Sequence, residues 1–300
     1  MAAAAKSGRN RDAVNEEIAR VERRFGLSES RESPTFMIGL EEVLRGIDER
    51  KAALDALRPL PAATDASLRA AVALDWTYHS NAIEGNTLTL RETQVVLEGI
   101  AIGGRSLREH LEAINHRDAI VLVEVLAAKS ATIGDWNIRG IHQMVLRTIN
   151  PVEAGQYRRD NVAIAGASFQ PPSHELVHDQ MEELVRWYQT DAQALHPVTR
   201  AAQLHARFVE VHPFLDGNGR TARIFMNMEL VAAQEQRIII ATIYRNDCIG
   251  ALKGMSHNKR AETLVRVLDF AQKDTGSIDW SEMQGAHTQL DVYTCLLRSR

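Results

Sequence analysis

Twelve consecutive residues hold a high density of reactive side chains: His212-Pro213-Phe214-Leu215-Asp216-Gly217-Asn218-Gly219-Arg220-Thr221-Ala222-Arg223. His212 is the one group among them that titrates near neutrality, as a general base must. Gly217 and Gly219 bracket a polar tight loop, and a helical run opens directly behind it. A glycine-rich loop that opens a helix aims several backbone N–H groups at one point, where the helix dipole also favours negative charge. Arg220 and Arg223 stand three positions apart, as neighbours on one helical face. The spacing therefore predicts an anion site sized for a phosphate chain. Asp216, just ahead of the loop, is a hard oxygen donor placed to hold Mg2+ against those phosphates. A plainer reading makes the same residues a helix–loop–helix corner with a glycine C-cap and arginines in solvent.

Helices must carry these groups. Val198 to Val211 puts Ala201, Leu204, Phe208 and Val211 on one face and delivers His212 at its end. Similar periodicity predicts helices at 174–189, 197–211, 218–234, 246–255 and 260–272. Upstream, Ala13 to Arg24 reads as a short charged helix, and Thr35 to Leu57 as a second one stopped by Arg58-Pro59-Leu60-Pro61. Asp65 to His79, Thr89 to Ile100 and a long helix running from Gly103-Gly104 through Ala128 complete the set. Gly155 to Pro172 has glycine, proline and β-branched residues without a helical period, and reads as a short hairpin or extended flap. The expected fold class is all-α: a helical bundle with one small β element, preceded by a helical N-terminal segment.

Composition bounds the function. The 300 residues are 45% hydrophobic and 25% charged, the balance of a soluble globular protein. A net charge of −4 gives no support to a nucleic-acid or membrane-surface binder, so neither partner is expected. Cys248 and Cys295 match no metal or redox spacing and read as free thiols of a reducing cytosol. Residues 1–12 are small, basic and without pattern, and are expected to be disordered and not a signal peptide. The most apolar run, Ala119 to Ala128, is broken by Glu124 and falls well short of the roughly 20 residues that span a bilayer. A cytoplasmic location is the expectation.

His-Pro-Phe-x-Asp-Gly-Asn-Gly-Arg-x-x-Arg is the signature of the Fic family, and residues 212–223 match it at every specified position. Gly155-Gln156-Tyr157-Arg158, followed by Val162-Ala163-Ile164, resembles the family's flap. Ser80-Asn81-Ala82-Ile83-Glu84-Gly85 fits its inhibitory pattern, Ser/Thr-x-x-x-Glu-Gly/Asn, as in the class whose inhibitory helix precedes the core. Read without the family, Glu84-Gly85 is an ordinary helix end. The resemblance covers roughly residues 65–275 and implies a helical region at 13–130 with the motif at 80–85, a catalytic core at 131–275 and an extension at 276–300.

The resemblance implies transfer of AMP from ATP, with Mg2+, to a Ser, Thr or Tyr hydroxyl of a target protein or of the chain itself. His212 would be the base and Asp216 the metal ligand. Gly217, Asn218, Gly219, Arg220, Thr221, Ala222, Arg223, Asn227 and Ile249 would bind the nucleotide. Glu84 would inhibit by pairing with Arg223, which otherwise meets the γ-phosphate. Val162, Ile164 and Gly166 of the flap would align the target, and two copies of the chain would pair as a homodimer. Many relatives carry two adjacent tyrosines before an Ala-Leu pair near the nucleobase. Here Cys248-Ile249 precedes Ala251-Leu252, which leaves UTP or a CDP-alcohol open as donor. The reverse reaction, removal of AMP with Glu84 orienting water, uses the same residues.

Other motifs compete. His174-Glu175-Leu176-Val177-His178 matches the zinc-hydrolase helix pattern and would put both histidines on one face. Its place directly after Pro171-Pro172-Ser173, at an exposed helix start, favours ordinary surface histidines. His79, His110, His116, His142, His196, His205, His257 and His287 have no ligand-like spacing, although His205 can pack beneath the site. Trp76, Trp136, Trp187 and Trp280 read as core anchors, and Arg158-Arg159 as a solvated charge run.

Overall fold

The helices that follow Thr89, Ser106 and His196 start where a side chain satisfies a free amide of the first turn. Thr89 and Ser106 each form a capping box, with Glu92 and Glu109 respectively returning to the cap backbone. Pro197 takes the first position of its helix, where a missing N–H costs nothing. The computed structural model describes residues 39–56, 58–129, 133–164, 170–235, 237–240 and 242. The chain divides into Met1–Val43 and Leu44–Arg300, with the boundary inside the first described helix, and beyond the first turn of that helix everything below concerns the second unit.

The helices are α1 (Leu40–Asp55), α2 (Ala62–Ile83), α3 (Leu90–Leu97), α4 (Leu107–Ala128), α5 (Asp135–Leu146), α6 (Val177–Gln189), α7 (Pro197–Val211) and α8 (Asn218–Ala232). Helices α1–α4 and α6–α8 fall where the periodicity places them, with ends shifted by a few residues, and α5 stands between the predicted ranges. The segments 13–24, 246–255 and 260–272 lie outside the described residues. Among the described residues there is no strand. Residues 161–164 form no regular element, with Val162 and Ile164 half-buried and Asn161 and Ala163 exposed, while Gly166 lies outside the described residues.

The pair α7–α8 is the centre of the bundle: α4 and α5 pack against α8, α6 against α7, and α2 against α4. Phe208, Phe214 and Phe225 are fully buried and pack together, with Phe208 stacked 5.9 Å from Phe225 and tilted 6.2 Å from Phe214. Within this core Glu229 of α8 is held by Arg200 of α7 at 2.6 Å and by the Tyr188 hydroxyl of α6. This triad around buried Glu229 ties three helices together through a fully engaged charge.

Two expectations are corrected here. Trp136 is not a core anchor but is 77% exposed on the first turn of α5, whereas Trp76 is buried. The His174–Leu176 stretch is a single 3-10 turn ahead of α6, so His174 and His178 do not share an α-helical face. His174 is held by Asn161, and exposed His178 pairs with Glu182. Neither is arranged as a ligand pair.

Candidate active site

The site is built from one helix end, one helix start and the loop between them. Helix α7 ends at His212, which takes a left-handed backbone (φ 49°, ψ 58°), a conformation that costs a residue with a Cβ roughly 1–2 kcal/mol. Arg158 holds that turn. Its Nε donates to the His212 carbonyl at 2.9 Å, its other nitrogens to the Asp160 and Pro172 carbonyls, and its backbone N–H to the Pro213 carbonyl. Arg158 is therefore buried, not a solvated charge; only Arg159 is exposed. Its guanidinium is satisfied by carbonyls, and no single-residue pattern foretells that. The signal was indirect: Arg158 ends the Gly-Gln-Tyr-Arg segment that follows the family pattern.

The loop folds on its own side chains. Asn218 donates to the Phe214 carbonyl at 2.8 Å and accepts from the Phe214 N–H at 3.0 Å, a reciprocal clasp across the turn. Gly217 sits at φ 78°, so only glycine makes the turn without strain, and α8 begins immediately after it. The amides of the first α8 turn lie at this helix start, as the anion-site reading requires. Thr221 and Ala222 are buried in that turn. The amide of Asn227, one turn on, is engaged by the backbone of Ile238 at 2.8 and 2.9 Å. Ile249 lies outside the described residues.

The arginines are buried and bound, which excludes the corner with solvated arginines. Arg220 lies between Glu112 of α4 and Asp216, at 3.2 Å from each. Arg223 turns to α2: its Nε donates to the Ser80 hydroxyl at 3.0 Å, and its Nη2 to the Ser80 carbonyl at 2.8 Å and to Glu84 Oε1 at 2.7 Å. Ser80 and Glu84 are one helical turn apart and grip the same guanidinium, which accounts for the spacing of their motif. The ordinary helix end is also present. Gly85 (φ 99°) donates to Ala82, and Asn86 to Asn81, the closure that places Glu84 as the C-cap of α2.

The Glu84 carboxylate reaches the start of α8. A β-carbon on Gly219 would overlap it and lie 3.1 Å from Arg223 Nη1. An anion thus already occupies the mouth of the predicted phosphate site. Burial pushes the Glu84 carboxyl up, but the charge and hydrogen bond of Arg223, helped by Arg220, bring it below the usual carboxylate value.

His212 lies below its ordinary value because it is buried, with Arg158 adding to the effect. The Val209 carbonyl, Glu84 and Asp216 pull the other way. It is therefore neutral at neutral pH, the form that can accept a proton. Asp216 keeps a half-exposed carboxylate. Oδ1 accepts from the Gly217 N–H at 2.6 Å and Oδ2 from Arg108 at 2.6 Å. Mg2+ commonly takes one or two carboxylates and completes its shell with substrate phosphates and water. A half-exposed carboxylate beside an anion site fits that demand. Among the described residues no three His, Cys, Asp or Glu form a metal-holding group of their own. No helix among them is long and apolar enough to cross a membrane.

His142 was read as an ordinary histidine, yet it lies directly under this loop, buried and stacked on Phe214. His205 is buried as expected, with its pKa lowered to about 3 by burial and the charge of Arg223.

Residues 135–230 match the Fic/DOC family. A protein adenylyltransferase Fic of Nematostella vectensis is 38% identical over 222 residues, 72% of this chain and 51% of that protein. That of Drosophila yakuba is 34% identical over 215 residues, 71% of this chain and 43% of that protein. The chain spans about half the length of these curated relatives. Among solved structures, the 134–508 fragment of Fic-1 from C. elegans superposes with a TM-score of 0.68 at 28% identity, covering 85% of this chain and 73% of the fragment. A glutamate-to-glycine variant of the same fragment gives 0.65 at 30% identity, covering 78% and 71%.

Proposed function

This chain belongs to the Fic/DOC family, and from that membership we propose that it transfers AMP from ATP to a Ser, Thr or Tyr hydroxyl of a target protein or of itself, restrained by Glu84. The observation that carries the proposal is the Glu84 carboxylate lodged against Gly219 and Arg223, an anion held where a helix start and a guanidinium converge. A triphosphate suits the same place once the carboxylate leaves.

In this reading neutral His212 accepts the proton of the target hydroxyl. The hydroxyl oxygen forms a bond to the α-phosphorus, and the bond from that phosphorus to the bridging oxygen breaks to release pyrophosphate. The amides of Gly217 to Arg220 stabilise the charge that develops, and Arg223 holds the γ-phosphate in the productive complex. Asp216 would hold Mg2+, which when bound neutralises charge on the phosphates. Thr221, Ala222, Asn227 and Ile249 belong to the proposed nucleotide set. Val162, Ile164 and Gly166 are assigned to aligning the target as an added strand, supported by the period-two exposure of residues 161–164. A second copy of the chain is the expected assembly partner.

The test is incubation of the protein with labelled ATP and a cell lysate, followed by mass spectrometry, with UTP and a CDP-alcohol as competing donors. Label attached as AMP to hydroxyl side chains, and absent with His212→Ala, is the expected result. Full labelling by His212→Ala overturns the catalytic assignment.

A further inference from the structure

We propose that His142 of α5 is a positioning residue for this reaction, a single imidazole that fixes the Asp216–Gly217 peptide and ties it to the root of the flap. The proposal rests on the transfer reading above. Its substance is four contacts on one buried ring. The Gly155 N–H donates to His142 Nδ1 at 2.9 Å, and Nε2 lies 2.9 Å from the Asp216 carbonyl oxygen. A nitrogen that accepts from an N–H carries no proton, so the hydrogen sits on Nε2 and is donated to Asp216. One face of the ring stacks on Phe214, centroids 3.5 Å apart and planes 2° from parallel. Its edge meets Gly217, where a β-carbon would stand 3.4 Å from Cδ2 and Nε2.

These contacts have a directional consequence. Drawing the Asp216 carbonyl inward sets the plane of the next peptide, whose N–H then faces back to Asp216 Oδ1 at 2.6 Å. The carboxylate is thereby oriented with Oδ2 outward, toward Arg108 and solvent, where a cation and phosphates can approach. The same peptide leads into the left-handed turn at Gly217 that starts α8 and its converging amides. On the other side of the ring, Gly155 opens the segment that runs through Arg158 to residues 161–164. The carboxylate assigned to the metal and the segment assigned to the target thus share one support. Outer partners of this kind orient the ligand itself.

The test separates the two hydrogen bonds, using a Glu84→Gly background so that transfer is measurable. In His142→Gln the amide nitrogen takes the place of Nε2 and can still donate to Asp216. In His142→Asn the amide oxygen takes the place of Nδ1, accepts from Gly155 and stops short of Asp216. The readouts are Mn2+–ATP affinity by calorimetry, KM against kcat for transfer, thermal midpoint, and hydrogen exchange of residues 212–223 without nucleotide. His142→Asn should weaken Mn2+–ATP binding tenfold or more and raise KM, while His142→Gln stays within about threefold of the parent. Exchange should accelerate in 212–223 for Asn only, at similar thermal midpoints. Equal behaviour of Gln and Asn, or losses that track the midpoint, overturns the proposal. Absence of AMP transfer in the parent refutes the function and not this inference, since exchange without nucleotide still decides it by the same contrast.

Discussion

Replacing Glu84 with glycine should raise AMP transfer, and the size of the rise follows from the contact it removes. Arg223 Nη2 and Glu84 Oε1 are 2.7 Å apart, a charge-assisted hydrogen bond at the edge of the core. Such bonds contribute about 1.5–3 kcal/mol. The Glu84 side chain is 38% exposed, so solvent screening argues for the lower half, about 1.5–2 kcal/mol. At about 1.4 kcal/mol per factor of ten, freeing Arg223 should increase transfer at subsaturating ATP about ten- to thirtyfold. The fold should survive, because Arg223 keeps both Ser80 contacts at 3.0 and 2.8 Å and is not left unpaired. Glu84→Gln, which keeps the shape but not the charge, should fall between parent and glycine variant. Because the carboxyl is depressed below its usual value, the ion pair is intact above that value and lost only as pH falls through the lower, folded one. The gain should therefore be level across neutral pH and shrink only in acid. The assay is transfer of labelled AMP at equal protein concentration. Equal or lower transfer by Glu84→Gly refutes the restraint. Loss of an AMP-removing activity in that variant would instead make Glu84 a participant in the reverse reaction.

Asp216→Ala should raise the Mg2+ needed for half-maximal transfer by about tenfold or more, since even outer partners of a metal have effects of that size. The variant should still fold, because Arg220 retains Glu112 and Arg108 lies at the surface; an unchanged metal dependence in a titration removes Asp216 as ligand. Acid should destabilise the chain early: His142, at about 4, and His205, at about 3, are both held far below the usual histidine value chiefly by burial. Groups depressed in this way contribute stability above their unfolded pKa of about 6.5 and lose it as pH falls toward the folded one, about 2 kcal/mol each by pH 5. Buried His116 shifts in the same direction. Denaturant unfolding at pH 7 and pH 5 checks this, and equal stabilities would show that these rings are not buried neutral.

The sequence by itself determined whatever is covalently local. A glycine-bracketed loop closing one helix and opening another is legible because its parts lie within twelve residues, and the backbone at Gly217 and Gly85 follows from residue type. Helix periods were legible for the same reason, since a 3.6-residue repeat records which face is buried. The pairing of Glu84 with Arg223 spans 139 positions and was reachable only through a motif resemblance, because spacing says nothing about which helices meet. Tertiary structure alone decided the rest. Arg158 reads as half of a charged pair, yet three carbonyls brought together by the fold bury it. His142 has no motif around it, and its importance comes from α5 packing beneath a loop 70 residues further on. Trp136 has the composition of a core residue but falls on the turn of α5 that no other described element covers. Residue type fixes what a side chain can bond to, and only packing fixes what it is given.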